Sequence, residues 1–253
     1  MSPARDRRTF GPGPYVLGLR RGEHWGHGFP FDVPAVAAIE DIALDAPVTL
    51  LAGDNGAGKS TVIEALADAA GFLDEGGELE RANGTAGQPR PVWGGALVPE
   101  TTSRKPRTGY FLRAESFFNI ARFVDSGDRF APDLSLYGDT PLHEQSHGQS
   151  FLALAANRFG GEGLFVLDEP EAALSVSGAL GLVGIVARAA RQGSQFVIAT
   201  HSPILLATPG ARIYELDDRG ATACAYDDLE AVRLTRGFLD GPERYLRAVL
   251  DDD

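Results

Sequence analysis

The sequence predicts an α/β fold, with a mostly parallel core sheet, helices on both faces, an N-terminal antiparallel β portion and a small helical lobe. Three observations carry this. Val48-Thr49-Leu50-Leu51-Ala52 is a short apolar strand that turns through Gly53-Asp54-Asn55-Gly56-Ala57-Gly58 into the helix-forming run Thr61-Val62-Ile63-Glu64-Ala65-Leu66-Ala67. Leu164–Leu167 and Phe196–Ala199 are unbroken apolar runs, the pattern of strands covered on both faces. Between them Leu174–Arg191 has helical spacing, so strand, helix and strand alternate as a parallel sheet requires.

Taken in order, residues 1–14 are polar with several Gly and Pro and read as a frayed tail. Tyr15–Leu19 and Phe31–Val33 read as strand pieces of an antiparallel sheet, the N-terminal β portion, which with the strand at 48–52 spans 15–52. Residues 74–108 are rich in Gly, Glu, Pro and Arg, with apolar character only at Val92-Trp93 and Ala96-Leu97-Val98, and read as a loop or insertion. Gly109–Arg113 returns to a strand. The small helical lobe follows at 116–150, interrupted by Pro132 and Pro141. Ser150–Arg158 is a helix at the start of the second part of the core, 151–226. That part closes with a hairpin, Arg212–Leu216 against Thr222–Tyr226 about Asp217-Asp218-Arg219-Gly220. A helical segment fills 227–253, and one domain spans 1–253.

Composition narrows the function. The chain has 253 residues, 43% of them hydrophobic and 23% charged, a globular balance. No apolar run is long enough to span a bilayer and no apolar h-region follows Met1–Arg8, which predicts a soluble, cytoplasmic protein. The single cysteine, Cys224, excludes an internal disulfide and a cysteine-cluster metal site, and reads as a plain strand position. A net charge of −12 argues against an extensive nucleic-acid-binding face. Two basic clusters (Arg5, Arg7, Arg8, Arg20 and Arg21, then Arg104, Lys105 and Arg107) read as solvated surface.

The glycine-rich turn fits G-x-x-x-x-G-K-[ST] and lies between a strand and a helix, the context in which that pattern has meaning. Its backbone N–H groups and the positive end of the helix face one anion, so Asp54, Asn55, Gly56, Ala57, Gly58, Lys59, Ser60 and Thr61 are candidate phosphate-binding residues. Lys59 is placed to reach the β- and γ-phosphates, and the Ser60 hydroxyl to ligate Mg²⁺. Asp168-Glu169-Pro170-Glu171 ends an apolar strand in carboxylates at the edge where ligands bind in open α/β sheets. There Asp168 suits Mg²⁺ through its water shell, and Glu169 suits orienting or deprotonating the attacking water. His201, in Thr200-His201-Ser202-Pro203, ends the next strand at the same edge and suits contact with a γ-phosphate. Ser146-His147-Gly148-Gln149 opens a second helix N-terminus, a second anion site through Ser146, Gly148 and Gln149. One ATP does not need two such sites from one chain, so the economical reading is a dimer in which this loop covers the nucleotide of its partner.

The order Gly53–Thr61, Ser146–Gln149, Asp168–Glu171, Thr200–Pro203 resembles the ABC-type ATPases, over roughly residues 48–203. Within them the chain is similar to the stand-alone, bacterial-type AAA family ATPases, on Tyr110-Phe111-Leu112-Arg113-Ala114-Glu115-Ser116-Phe117-Phe118-Asn119 and on Asp168–Ser175. The resemblance implies a P-loop NTPase fold of ABC-ATPase type and an ATPase in which Mg-ATP is sandwiched between two heads, Ser146 and Gly148 acting in trans. It also marks departures. Glu115 is the nearest candidate for the usual glutamine that contacts Mg²⁺-bound water, and Ser175 stands where the dimer-contact loop usually has Asp. Phe31 and Trp25 are the candidates for stacking on adenine.

The expected function is Mg-dependent ATP binding and hydrolysis in a nucleotide-dependent homodimer that drives conformational change in a separate protein partner. The alternatives are the ATP-binding subunit of a membrane transporter, a DNA-repair or defence-associated head, and a nucleotide switch with negligible turnover. Glu169 speaks against the last.

Overall fold

The computed structural model describes residues 9–10, 12–23, 25–72, 77–78, 96–113 and 147–250. Its strands are β1 (Thr9–Phe10), β2 (Val16–Arg21), β3 (Asp41–Ala43), β4 (Val48–Ala52), β5 (Gly77–Glu78), β6 (Leu97–Thr101), β7 (Arg104–Lys105), β8 (Thr108–Arg113), β9 (Gly163–Asp168), β10 (Gln195–Ala199), β11 (Arg212–Asp217) and β12 (Gly220–Ala223). A seven-stranded sheet runs in the order β12-β11-β4-β10-β9-β8-β5. Its five central strands are parallel, and β12 and β5 close the two edges antiparallel. A smaller antiparallel sheet has the order β3-β2-β6, and β1 pairs with β7.

Strand periodicity sorts the core into two layers. Leu50, Phe165, Leu167, Phe196 and Ile198 face one side, where the helices Phe151 and Leu182 belong to (147–158 and 176–191) cover them. Leu51, Leu164, Val166, Val197 and Ala199 face the other, against the helix Lys59–Ala70 and the small sheet. The first layer is anchored by Phe159, Phe165 and Phe196, with ring centroids 4.8 Å to 5.8 Å apart. A parallel sheet sandwiched in this way directs the C-terminal ends of β4, β9 and β10 to one edge. No helix among the described residues is long and apolar enough to cross a membrane.

Several elements differ from the sequence expectation. Phe31–Val33 is not a strand but a turn leading into a short helix, Pro34–Ala37. Pro34 has no N–H for a ladder and presets the helical φ, so it starts a helix there. Residues 97–101, expected inside the 74–108 loop or insertion, form β6 and pair with β2, a long-range partner that local composition does not reveal. The helix expected from Leu174 begins at Val176, capped by the Ser175 hydroxyl, which accepts from Gly178 N at 3.2 Å. A 3-10 turn, Pro170–Ala173, precedes it. The second hairpin strand is Gly220–Ala223, short of Tyr226, which lies in a turn of its own. Cys224 thus falls just past the strand, its N–H donating to Ile213 O at 3.0 Å. The described part of the 227–253 segment holds two helices, Glu230–Asp240 and Pro242–Leu250. Most of the expected 116–150 lobe lies outside the described residues.

Candidate functional site

The glycine-rich loop leaves β4 and enters the helix Lys59–Ala70 through backbone that only glycine adopts without strain. Gly53 sits at φ 141° with the Leu216 carbonyl 2.6 Å from where a Cβ would be, and Gly58 at φ 90° with Val33 at 3.0 Å. A side chain at either position would force the loop away from the β11–β12 hairpin or from the Pro34–Ala37 helix. Asp54, Asn55 and Gly56 are exposed, and the loop Gly53–Ala57 forms one wall of a cavity of about 390 Å³. Its other walls are Pro34, Ala35, the turn Glu215–Arg219 and the start of the helix at Glu230.

Lys59 is 3% exposed and folded back on its own loop, its Nζ donating to Gly53 O at 2.8 Å and to Asp54 O at 3.0 Å. Glu169 Oε1 lies 3.7 Å from that ammonium. The Ser60 hydroxyl donates to Asp168 Oδ1 at 3.0 Å, and Thr61 is buried one position on. These two oxygens, one neutral and one anionic, have the hard-donor chemistry that suits Mg²⁺. Burial pushes the Asp168 carboxyl above its ordinary range, against the opposing pull of the Ser60 hydrogen bond and of Arg113. Arg113 ends β8 in register with Asp168, with its guanidinium 3.7 Å from Asp168 Oδ2 and paired with Glu64. The sequence reading gave Arg113 no role; its place at the same strand edge as Asp168 was the available signal.

Glu169 adopts the left-handed conformation, φ 47°, ψ 51°. A non-glycine residue held there costs on the order of 1–3 kcal/mol, and such strain collects at functional sites. Its N–H donates to Ala199 O at 3.0 Å, fastening the end of β9 to the end of β10. The turn brings its carboxylate toward His201, whose Nδ1 is 3.7 Å away. Lys59, Ser60, Asp168, Glu169 and His201 therefore meet at one strand edge. Glu171, assigned no role from sequence, lies beneath them. Its Oε1 accepts from Thr200 Oγ1 at 2.5 Å, His201 N at 2.8 Å and Ser202 N at 3.1 Å.

The second expected anion site differs in local structure. The helix begins at His147, so Gly148 and Gln149 lie in its first turn, three residues before the predicted start at Ser150. Gly148 has a packing reason: a Cβ there would meet Ala173 O at 3.1 Å, so the helix start rests against the turn that follows Asp168. Ser146 and Glu115 lie outside the described residues. Of the aromatic candidates, Trp25 and Phe31 pack edge to face at 5.5 Å, with the Arg21 guanidinium 4.0 Å from the Trp25 ring centroid. Both rings are thus engaged with protein groups. Of the basic clusters, Arg104 donates to Pro12 O and Arg107 pairs with Glu162.

Comparison with known proteins agrees with this architecture. A family model described as "AAA domain" matches residues 37–86, and another, "AAA domain, putative AbiEii toxin, Type IV TA system", matches residues 134–207. The chain is 27% identical over 190 residues to the ribose import ATP-binding protein RbsA of Jannaschia sp., covering 66% of this chain and 36% of the relative. It therefore spans about a third of RbsA. It is also 27% identical over 180 residues to the cytochrome c biogenesis ATP-binding export protein CcmA of Escherichia coli, covering 68% of this chain and 84% of the relative. Among solved structures, CbiO1 from Clostridium perfringens, part of the ABC transporter complex CbiONQ, superposes with TM-score 0.51 at 15% identity over 91% of this chain and 97% of that one. Fold, matched domain models and relatives together make this chain similar to the ABC-type ATP-binding proteins, with a P-loop NTPase fold.

Proposed function

We propose that the chain binds Mg-ATP on Gly53–Thr61 and hydrolyses it in a nucleotide-dependent, head-to-tail homodimer, and that this cycle drives a conformational change in a separate protein partner. The observation that carries the reading is the meeting of Lys59, the Ser60–Asp168 pair, Glu169 and His201 at one edge of the sheet. An entering triphosphate offers Lys59 oxygens in place of the Gly53 and Asp54 carbonyls. Ser60 and Asp168 would hold Mg²⁺, which supplies charge neutralisation at the β- and γ-phosphates when bound. Glu115 is a further candidate for its water shell. Glu169 accepts the proton of the attacking water, and His201 donates toward the γ-phosphate. Ser146, Gly148 and Gln149 complete the partner's site in trans.

The proposed organisation is a single domain over 1–253, with an N-terminal β portion at 15–52, a lobe at 116–150 and a cytoplasmic location. Light scattering of Glu169→Gln in Mg-ATP tests the sandwich: a stable dimer is expected, and a variant that stays monomeric overturns it. Ser146→Arg should keep ATP affinity and lose turnover, whereas surviving turnover removes the trans role. A second reading, the ATP-binding subunit of a membrane transporter, is favoured by the names of RbsA and CcmA. Purification of the trapped Glu169→Gln form from native membranes separates the two, because only a transporter subunit brings an integral membrane protein with it.

A further inference from the structure

The structure assigns Glu171 as the positioning residue for His201. Three donors of one loop, the Thr200 hydroxyl and the amides of His201 and Ser202, converge on the single oxygen Oε1. That many donors on one carboxylate oxygen is a fixed geometry, since each bond restricts the other two. Two of the donors are the backbone on either side of the imidazole, so the place of Glu171 sets the direction in which His201 leaves the chain. The side chain is 9% exposed, and Oε2 has no hydrogen-bond partner among the described residues. An unmatched buried carboxylate oxygen costs free energy that a merely structural contact between two loops would not require.

The rest of the loop is built around the same purpose. Thr200 is fully buried, and its Oγ1 accepts from Ser202 N at 3.0 Å while donating to Glu171. Ser202 caps the short helix Pro203–Leu206, so the residue after His201 is held from the other side. The imidazole itself is 49% exposed, with Nδ1 3.5 Å from Glu171 Oε1 and 3.7 Å from Glu169 Oε1. Glu171 reaches the loop from the 3-10 turn Pro170–Ala173, whose first flanking residue is Glu169. One short turn therefore carries both the carboxylate proposed as the base and the carboxylate that aims the histidine. The spacing between the two reacting groups is fixed by a single proline-started turn rather than by two independent loops.

This inference rests on the proposed contact of His201 with the γ-phosphate, and the test separates the two. In steady-state ATPase assays Glu171→Leu should lower kcat about 10- to 100-fold with little change in KM, the scale of a misplaced catalytic group. Glu171→Gln keeps an acceptor oxygen at the same place and should restore most of the rate. A double-mutant cycle with His201→Ala should be strongly non-additive, since a histidine already misdirected has little left to lose. Hydrogen exchange at the His201 and Ser202 amides should accelerate in Glu171→Leu alone. If the two losses multiply, or if Glu171→Gln is as damaging as Glu171→Leu, the positioning role is wrong while the His201 reading stands. If His201→Ala leaves turnover intact, both fall. Should Glu171→Leu not fold, Thr200→Val removes one of the three donors and is measured in the same cycle with the same outcomes.

Discussion

The two ends of β10 handle buried polar groups in opposite ways. At its N-terminal end Gln195 is fully buried and uses every hydrogen-bonding capacity of its amide. Oε1 accepts from Tyr15 N at 2.7 Å and Val16 N at 3.0 Å, and Nε2 donates to Val16 O at 2.7 Å and Leu44 O at 2.6 Å. Beside it the Tyr15 phenol donates to Gly193 O at 3.3 Å, and burial pushes its pKa up to about 12, so it stays neutral. At the C-terminal end one Glu171 oxygen has no hydrogen-bond partner among the described residues, Glu169 sits at positive φ, and Asp168 is a buried carboxyl pushed above its ordinary range. One end is saturated and joins the small sheet to the large one. The other keeps loosely paired, partly buried charge and backbone strain, the state expected of groups poised for a ligand that is itself charged.

The largest effect that sharpens this contrast is on turnover. Glu169→Gln removes a proton acceptor without altering shape, and should lower kcat by about 10²–10⁴-fold. The thermal midpoint should scarcely move, because its carboxylate is partly exposed and, among the described residues, its ion-pair contacts are those at 3.7 Å to Lys59 and His201. Turnover within tenfold of the parent would place the base elsewhere.

The mirror experiment is at the opposite end. Gln195→Leu strands four buried backbone groups, each costing about 1–3 kcal/mol when unmatched. Relaxation shares some of that loss, so destabilisation of about 3–5 kcal/mol is expected, a midpoint lower by roughly 10 °C. Nucleotide affinity of the folded fraction should be unchanged. A loss of affinity with normal stability would mean that the two ends of β10 are not independent.

Much of the front edge was legible in the sequence because its chemistry is local. Gly53 to Thr61 is a contiguous loop, and Asp168, Glu169 and His201 each end an apolar run, so their placement at one strand edge could be read off. Gln195 and Glu171 were illegible for one shared reason. Their partners are far away in sequence (Tyr15 and Leu44 for the first, Thr200 to Ser202 for the second), and no short pattern encodes such pairings. β6 was missed likewise, since it becomes a strand only through pairing with β2. The turn at Phe31–Val33 is the opposite case: Pro34 is a local signal for a helix start, and the brief apolar–polar alternation Phe31-Asp32-Val33 is too short to make a strand against it.

The smallest effect is a gain. Because burial raises the Asp168 pKa above its ordinary value of 3.8, the charged form opposes folding of the nucleotide-free protein. Below both values the carboxyl is protonated folded and unfolded, and the group is neutral to stability. As pH rises, the unfolded chain releases its proton first, so stability falls until the folded value is passed, and the full cost applies above it. Asp168→Asn keeps the acceptor that Ser60 uses and removes the charge, so without nucleotide it should melt higher than the parent at pH 7, the difference vanishing as pH falls below ~4. In Mg-ATP the order should reverse. The parent then gains the stabilisation of a bound ligand, while the asparagine, a weaker partner for a hard divalent ion, gains less. A variant that melts lower than the parent in both conditions would make Asp168 a structural ion-pair partner of Arg113, and the front edge would then resemble the saturated end after all.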